Sequence, residues 1–130
     1  MTVGPRLRIL VVDDDPAIRE IAKLSLNAFG NFDVHVAAGG QACLQAVREA
    51  PEPFDVMLLD LMMPGLDGSA TLRHLRSLSG GAELPVILFS AALEHQRRVV
   101  DPHVIGTVSK PFRPAALVEQ IESLLAGWDR

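Results

Sequence analysis

The sequence has no tyrosine, one tryptophan and five phenylalanines among its 130 residues, so aliphatic side chains must fill any core. Its one cysteine, Cys43, excludes an internal disulfide and fits a reducing compartment. Set among Ala, Leu and Val in a helical stretch, Cys43 reads as a small core residue rather than a nucleophile. No apolar run approaches the roughly 20 residues that cross a bilayer, and residues 1–8 lack the apolar stretch of a signal peptide. The expectation is a cytoplasmic protein without membrane insertion. A surplus of Lys and Arg is also lacking. The formal net charge of −4 argues against direct nucleic-acid binding, because such faces need clustered cations to replace condensed counterions. Neither G-x-G-x-x-G nor G-x-x-x-x-G-K occurs, which leaves dinucleotide and P-loop chemistry unsupported. His35, His74, His95 and His103 show no metal-ligand spacing and read as surface or structural residues.

What is present suits one globular domain over residues 1–130, with its core at about 7–126. A chain of this size buries about two-thirds of its unfolded surface, enough for a real core. Short apolar runs alternate with helical patterns. Residues 7–12 (LRILVV), 55–59 (DVMLL) and 85–89 (PVILF) read as fully buried strands. Residues 32–36 alternate apolar and polar, as a half-exposed strand toward an edge does, and 103–108 supplies a fifth strand. Helices are expected over 16–29, 41–49, 69–79 and 114–126, with a short, poorly patterned one over 92–100. In the first, Ile18, Ile21, Ala22, Ser25 and Phe29 share a face. Asp15 before Pro16 makes a good N-cap, and Asp67 in the PGLDG loop reads as a turn residue rather than a metal ligand. Continuous apolar strands separated by helices imply a parallel α/β sheet covered on both faces.

Polar residues collect where the apolar strands end. The first strand ends on Asp13, Asp14 and Asp15, the third on Asp60, the fourth on Ser90, and the fifth on Ser109 and Lys110. In an open α/β sheet that edge is where ligands bind. Two carboxylates about 4 Å apart at an effective dielectric near 20 repel by about 4 kcal/mol, so a cation is needed to offset them. Mg²⁺ suits a site of a few carboxylates, waters and a phosphate, and Lys110 adds a second positive charge. An Asp beside such charges is placed to attack phosphorus and form an acyl phosphate, with a hydroxyl at Ser90 able to hydrogen-bond a phosphoryl oxygen.

The segments ILVVDDDP, DVMLLDLMMPGLDG, PVILFSA and SKPF resemble the signature segments of bacterial response-regulator receiver domains, over nearly the whole chain. The resemblance implies a CheY-like, flavodoxin-like (βα)5 doubly wound fold with strand order 2-1-3-4-5. It implies Asp60 as phosphoacceptor, with Asp13, Asp14, Asp60 and the Met62 backbone carbonyl holding Mg²⁺. Lys110 would contact the phosphoryl group, Ser90 would be the switch hydroxyl, and the Lys110–Pro111 bond would be cis. The implied partners are a histidine kinase or histidine phosphotransfer protein and a downstream protein target or output domain. A homodimer through the fourth helix, fifth strand and last helix is a further expectation.

The sequence also departs from that pattern. Thr107 stands where the family often has an aromatic switch residue, and the short stretch between Ser90 and Lys110 points to a modified partner surface or a mobile one. Met62, two residues after Asp60, cannot orient water well, so slow self-dephosphorylation is expected. The alternative is a receiver-fold interaction module acting without phosphorylation. A haloacid dehalogenase-like phosphatase would carry a second Asp where Met62 stands. The lack of a linker after Trp128 favours a stand-alone regulator.

Overall fold

A computed structural model describes residues 6–90 and 99–128, with Ser90 described by its backbone alone. In chain order the elements are β1 (Leu7–Val12), α1 (Pro16–Phe29), β2 (Phe32–Ala37), α2 (Gly40–Glu49), β3 (Val56–Asp60), α3 (Gly68–Leu75), β4 (Val86–Ser90), β5 (Val104–Ser109) and α4 (Pro114–Ala126). The helix expected over 92–100 lies mostly outside the described residues.

The five strands form one parallel sheet in the order β2-β1-β3-β4-β5. The expected edge strand is indeed at one edge, and β5 is at the other. Successive side chains of a strand point to opposite faces, which splits the apolar residues into two cores. On one face Leu10, Val12, Met57, Leu59 and Leu88 pack under Cys43, Leu44 and Val47 of α2 and Leu72 and Leu75 of α3. On the other, Ile9, Val11, Leu58, Ile87 and Phe89 pack under Ala22 and Leu26 of α1 and Leu117, Val118 and Ile121 of α4. Each such fully buried aliphatic side chain contributes about 1.5–3 kcal/mol of transfer free energy before entropy is set against it.

Cys43 is fully buried, its thiol 3.7 Å from the Met57 sulfur, and burial pushes its pKa up to about 12. It is a core residue, as its neighbours in sequence suggest.

Two helices differ from expectation. In α1 the buried stripe is Ala22, Ser25 and Leu26, whereas Ile21 and Phe29 are 44% and 59% exposed. The helix lies in the groove between the sheet and α4, and the side chains facing that groove follow an i, i+3, i+4 row through Leu26 rather than Ile21. α3 stops at Leu75, short of 79. The Ser77 and Leu78 N–H groups reach back three residues, to His74 O and Leu75 O, and tighten the chain. The Arg76 guanidinium then donates to Gly81 O and Leu84 O, both at 2.8 Å, and fixes the turn.

The strand order reverses between β1 and β3, because the chain leaves β1 to one side and returns on the other. That crevice is where an open α/β sheet places a ligand, and Asp13 and Asp60 border it.

Candidate functional site

Backbone contacts hold the first acidic residue in place. Asp13 follows β1 directly; its N–H donates to Ala37 O at 3.2 Å and its own carbonyl accepts from Arg19 at 2.8 Å. Its carboxylate is fully buried, and Oδ1 accepts the Asp15 N–H at 2.9 Å. Asp15 in turn caps α1, accepting the Ala17 N–H at 2.9 Å, so its role is structural. Asp14, between them, is exposed. Asp67 likewise caps α3, accepting the Ala70 N–H at 2.8 Å.

Asp60 ends β3 and is 2% exposed. Its Oδ1 accepts the Met62 N–H at 3.1 Å, and its Oδ2 lies 3.4 Å from Lys110 Nζ. The loop that follows turns at Gly65, whose φ of +75° is a backbone state that side chains disfavour. Gly68 then brings α3 against the strand end, since a Cβ there would stand 2.5 Å from Leu61 Cα and 2.6 Å from Asp60 O.

Lys110 follows β5, and its bond to Pro111 is cis, as expected. Its ammonium lies 2.5 Å from Asp13 Oδ2 and 4.7 Å from the centre of the Phe89 ring. Phe89 is itself braced by Phe112 at 5.3 Å.

The electrostatics of Asp60 reflect this crowding. Burial pushes its carboxyl above the ordinary value and the Asp13 charge pushes the same way; the Met62 amide and Lys110 pull against them without cancelling the rise. Oxygens of Asp13, Asp14 and Asp60 lie within 4.8 Å of one another, and Asp13 Oδ2 is buried with no hydrogen-bond donor in suitable geometry. Hard oxygen donors in that arrangement, with Lys110 as the one cation paired with them among the described residues, fit a small divalent cation. None of the histidines joins such a cluster among the described residues.

Thr107 stands apart. It is exposed on β5 and borders a hollow of about 310 Å³ with Glu119, Gln120, Ser123 and Leu124. Ser90 ends β4 beside Ser109, as the sequence indicates, but its hydroxyl lies outside the described residues. Met62 is 53% exposed. Two contributors escaped the sequence reading. Arg19 gives no signal among other helix charges, and Phe89 looks like any core residue of an apolar strand.

The model of the family described as response regulator receiver domain matches residues 9–122. The chain belongs to that family. The receiver is thus a module of two-component signalling, as the four sequence segments suggest. Two curated relatives are each 38% identical over 122 residues: the DNA-binding response regulator MtrA of Mycolicibacterium smegmatis and the response regulator MprA of Mycobacterium leprae. In both cases 92% of this chain matches 51% of the relative, so the receiver spans about half the length of the curated relatives it matches. That removes the support for reading it as a stand-alone regulator.

Among solved structures, a CheY-like receiver domain protein from Methanospirillum hungatei JF-1 is 27% identical, with a TM-score of 0.80 over 94% of this chain and 95% of that one. The receiver domain of the sensor histidine kinase PA1611 from Pseudomonas aeruginosa PAO1, a structure with magnesium in its active-site cleft, shares the fold at a TM-score of 0.80 and 24% identity, over 95% of this chain and all of that one.

Proposed function

We propose that Asp60 accepts a phosphoryl group from the phosphohistidine of a histidine kinase or histidine phosphotransfer protein. The observation that carries this reading is the buried Asp60 carboxylate lying 3.4 Å from Lys110 and grouped with Asp13 and Asp14. An Asp60 oxygen attacks phosphorus and a new O–P bond forms. The P–N bond breaks, and its electron pair stays on the imidazole nitrogen, which is left neutral after taking up a proton. Lys110 lies where its charge meets that of the incoming phosphoryl oxygens. The Met62 N–H, already on Oδ1, orients the carboxylate so that Oδ2 is the attacking oxygen.

Asp13, Asp14, Asp60 and the Met62 backbone carbonyl are the groups that would hold Mg²⁺, which when bound supplies positive charge against the carboxylates and the phosphoryl oxygens. The Ser90 hydroxyl and Thr107 are the proposed switch positions. The modification shifts an existing equilibrium between two conformations and so changes partner binding. Hydrolysis by water returns the Asp60 carboxylate and inorganic phosphate.

MtrA is described as DNA-binding, and this chain matches about half of it. We therefore place the receiver upstream of an output domain or partner protein in the cytoplasm, with any DNA contact made outside the receiver. Among the described residues no helix is long and apolar enough to cross a membrane. Nothing observed favours a module that acts without phosphorylation.

The test is intact mass after incubation with Mg²⁺ and acetyl phosphate, alongside Asp60→Asn. A phosphoryl-sized gain in the parent, absent from the variant and without Mg²⁺, is the expected result. Failure with acetyl phosphate and with a panel of phosphorylated histidine kinases would overturn the reading.

A further inference from the structure

A second concavity lies at the opposite end of the sheet from Asp60, where β3, β4 and β5 begin. It encloses about 530 Å³ and its lining includes Phe54, Asp55, Glu83, Leu84, His103 and Trp128. That volume falls within the range of small-molecule sites.

The walls are fixed by backbone hydrogen bonds. The Asp55 N–H donates to Arg8 O at 2.8 Å, the Met57 N–H to Pro85 O at 2.9 Å and the Val86 N–H to His103 O at 2.9 Å. Asp55 Oδ2 accepts the Arg8 N–H at 2.7 Å, which sets that carboxylate. His103 and Trp128 meet edge to face at 5.9 Å, holding the indole at the rim. A pocket built this way needs little ordering when a ligand enters.

Its charge is one-sided. Asp55 and Glu83 line it, and no lysine or arginine does so among the described residues. Two guanidinium groups on adjoining segments are engaged elsewhere. Arg8 lies 3.7 Å from Asp33, donates to Glu52 O and stacks 4.8 Å over the Phe54 ring. Arg76 is bidentate to Asp101 and donates to Gly81 O and Leu84 O. Two acidic residues and an indole lining one hollow suit a flat cation, which can pair with the carboxylate oxygen that Asp55 keeps free of the Arg8 N–H, pair with Glu83 and stack on the ring.

We propose that this pocket binds a small organic cation with an amidinium or guanidinium head. The site is separate from the phosphoryl chemistry and does not depend on it.

The experiment is an amide and indole NMR titration with benzamidine, and with benzamide and benzoate as neutral and anionic counterparts of the same shape. Trp128 is the only tryptophan, so its indole signal reports the rim without ambiguity. Benzamidine is expected to give saturable shifts at the Trp128 indole and at Gly80 and Ala82, benzamide weaker ones, and benzoate none. Glu83→Gln, at an exposed position where the amide spectrum will confirm the fold, is expected to weaken benzamidine about fivefold. Equal binding of benzamidine and benzamide, shifts that do not saturate, or an unchanged affinity in Glu83→Gln would each overturn the proposal.

Discussion

The Lys110 ammonium lies 2.5 Å from Asp13 Oδ2, an oxygen buried with no hydrogen-bond donor in suitable geometry. Asp60 Oδ2 is farther from the same ammonium, at 3.4 Å. Lys110 is therefore the counter-ion of the acidic pair as well as a neighbour of the proposed phosphoacceptor. Replacing it leaves two buried carboxylates facing each other without a cation.

Lys110→Met is accordingly expected to lose about 2 kcal/mol of stability in the absence of divalent cations. Mg²⁺ is expected to restore much of that, because a cation held by Asp13, Asp14 and Asp60 would offset the same repulsion. Urea unfolding with and without Mg²⁺ measures both quantities. A loss of equal size in the two conditions would mean that carboxylate repulsion is not its source.

Gly68→Ala tests how the loop positions Asp60. The added Cβ would stand 2.5 Å from Leu61 Cα and 2.6 Å from Asp60 O, both backbone atoms that cannot swing aside. The strand end must shift, at a cost of about 1–3 kcal/mol. Thermal unfolding is expected to show the destabilisation, and acetyl phosphate labelling of Asp60 is expected to slow. An unchanged labelling rate would show that Gly68 serves packing alone.

Much of this was legible in the sequence because the three central strands, β1, β3 and β4, are largely buried on both faces. Runs such as VMLL at 56–59 need no alternation to declare themselves, and their ends mark where Asp13, Asp60 and Lys110 fall. Proline at 16 and 114 and glycine at 30 punctuate α1 and α4 so clearly that their bounds follow. The end of α3 was not legible, since Leu78 continues the helical spacing while a tertiary clamp by Arg76 on Gly81 and Leu84 stops the helix. Nor was the face of α1, where Ile21 and Leu26 are equally apolar and packing against α4 decides between them. Local pattern carries neither kind of information.

The Arg76–Asp101 pair makes a pH prediction. Burial by itself would raise the Asp101 carboxyl; the Arg76 guanidinium and the His103 N–H outweigh it and hold the group below its ordinary value. The unfolded chain thus takes up a proton before the folded one does. The pair's stabilisation is fully present above the ordinary Asp value, about 3.9. It fades as pH falls through the lowered folded value. Asp101→Asn is expected to cost about 1–3 kcal/mol at neutral pH and progressively less below about pH 4. Urea midpoints of both proteins across that range check it; a constant difference would rule out ionisation of Asp101 as the cause.

Met62 is expected to govern what water meets beside Asp60. Its N–H is engaged with Asp60 Oδ1 at 3.1 Å and its side chain is 53% exposed. A thioether offers no donor to a water approaching the acyl phosphate, whereas an amide offers two. One well-aligned hydrogen bond in the transition state, about 1.4 kcal/mol, corresponds to about tenfold in rate. Met62→Asn is therefore expected to shorten the phosphoryl lifetime about tenfold. Because the position is exposed, stability is expected to change by no more than about 0.5 kcal/mol. Decay of the phosphorylated mass after removal of the donor measures the lifetime. A parent lifetime no longer than that of the variant would show that water reaches phosphorus by a route Met62 does not govern.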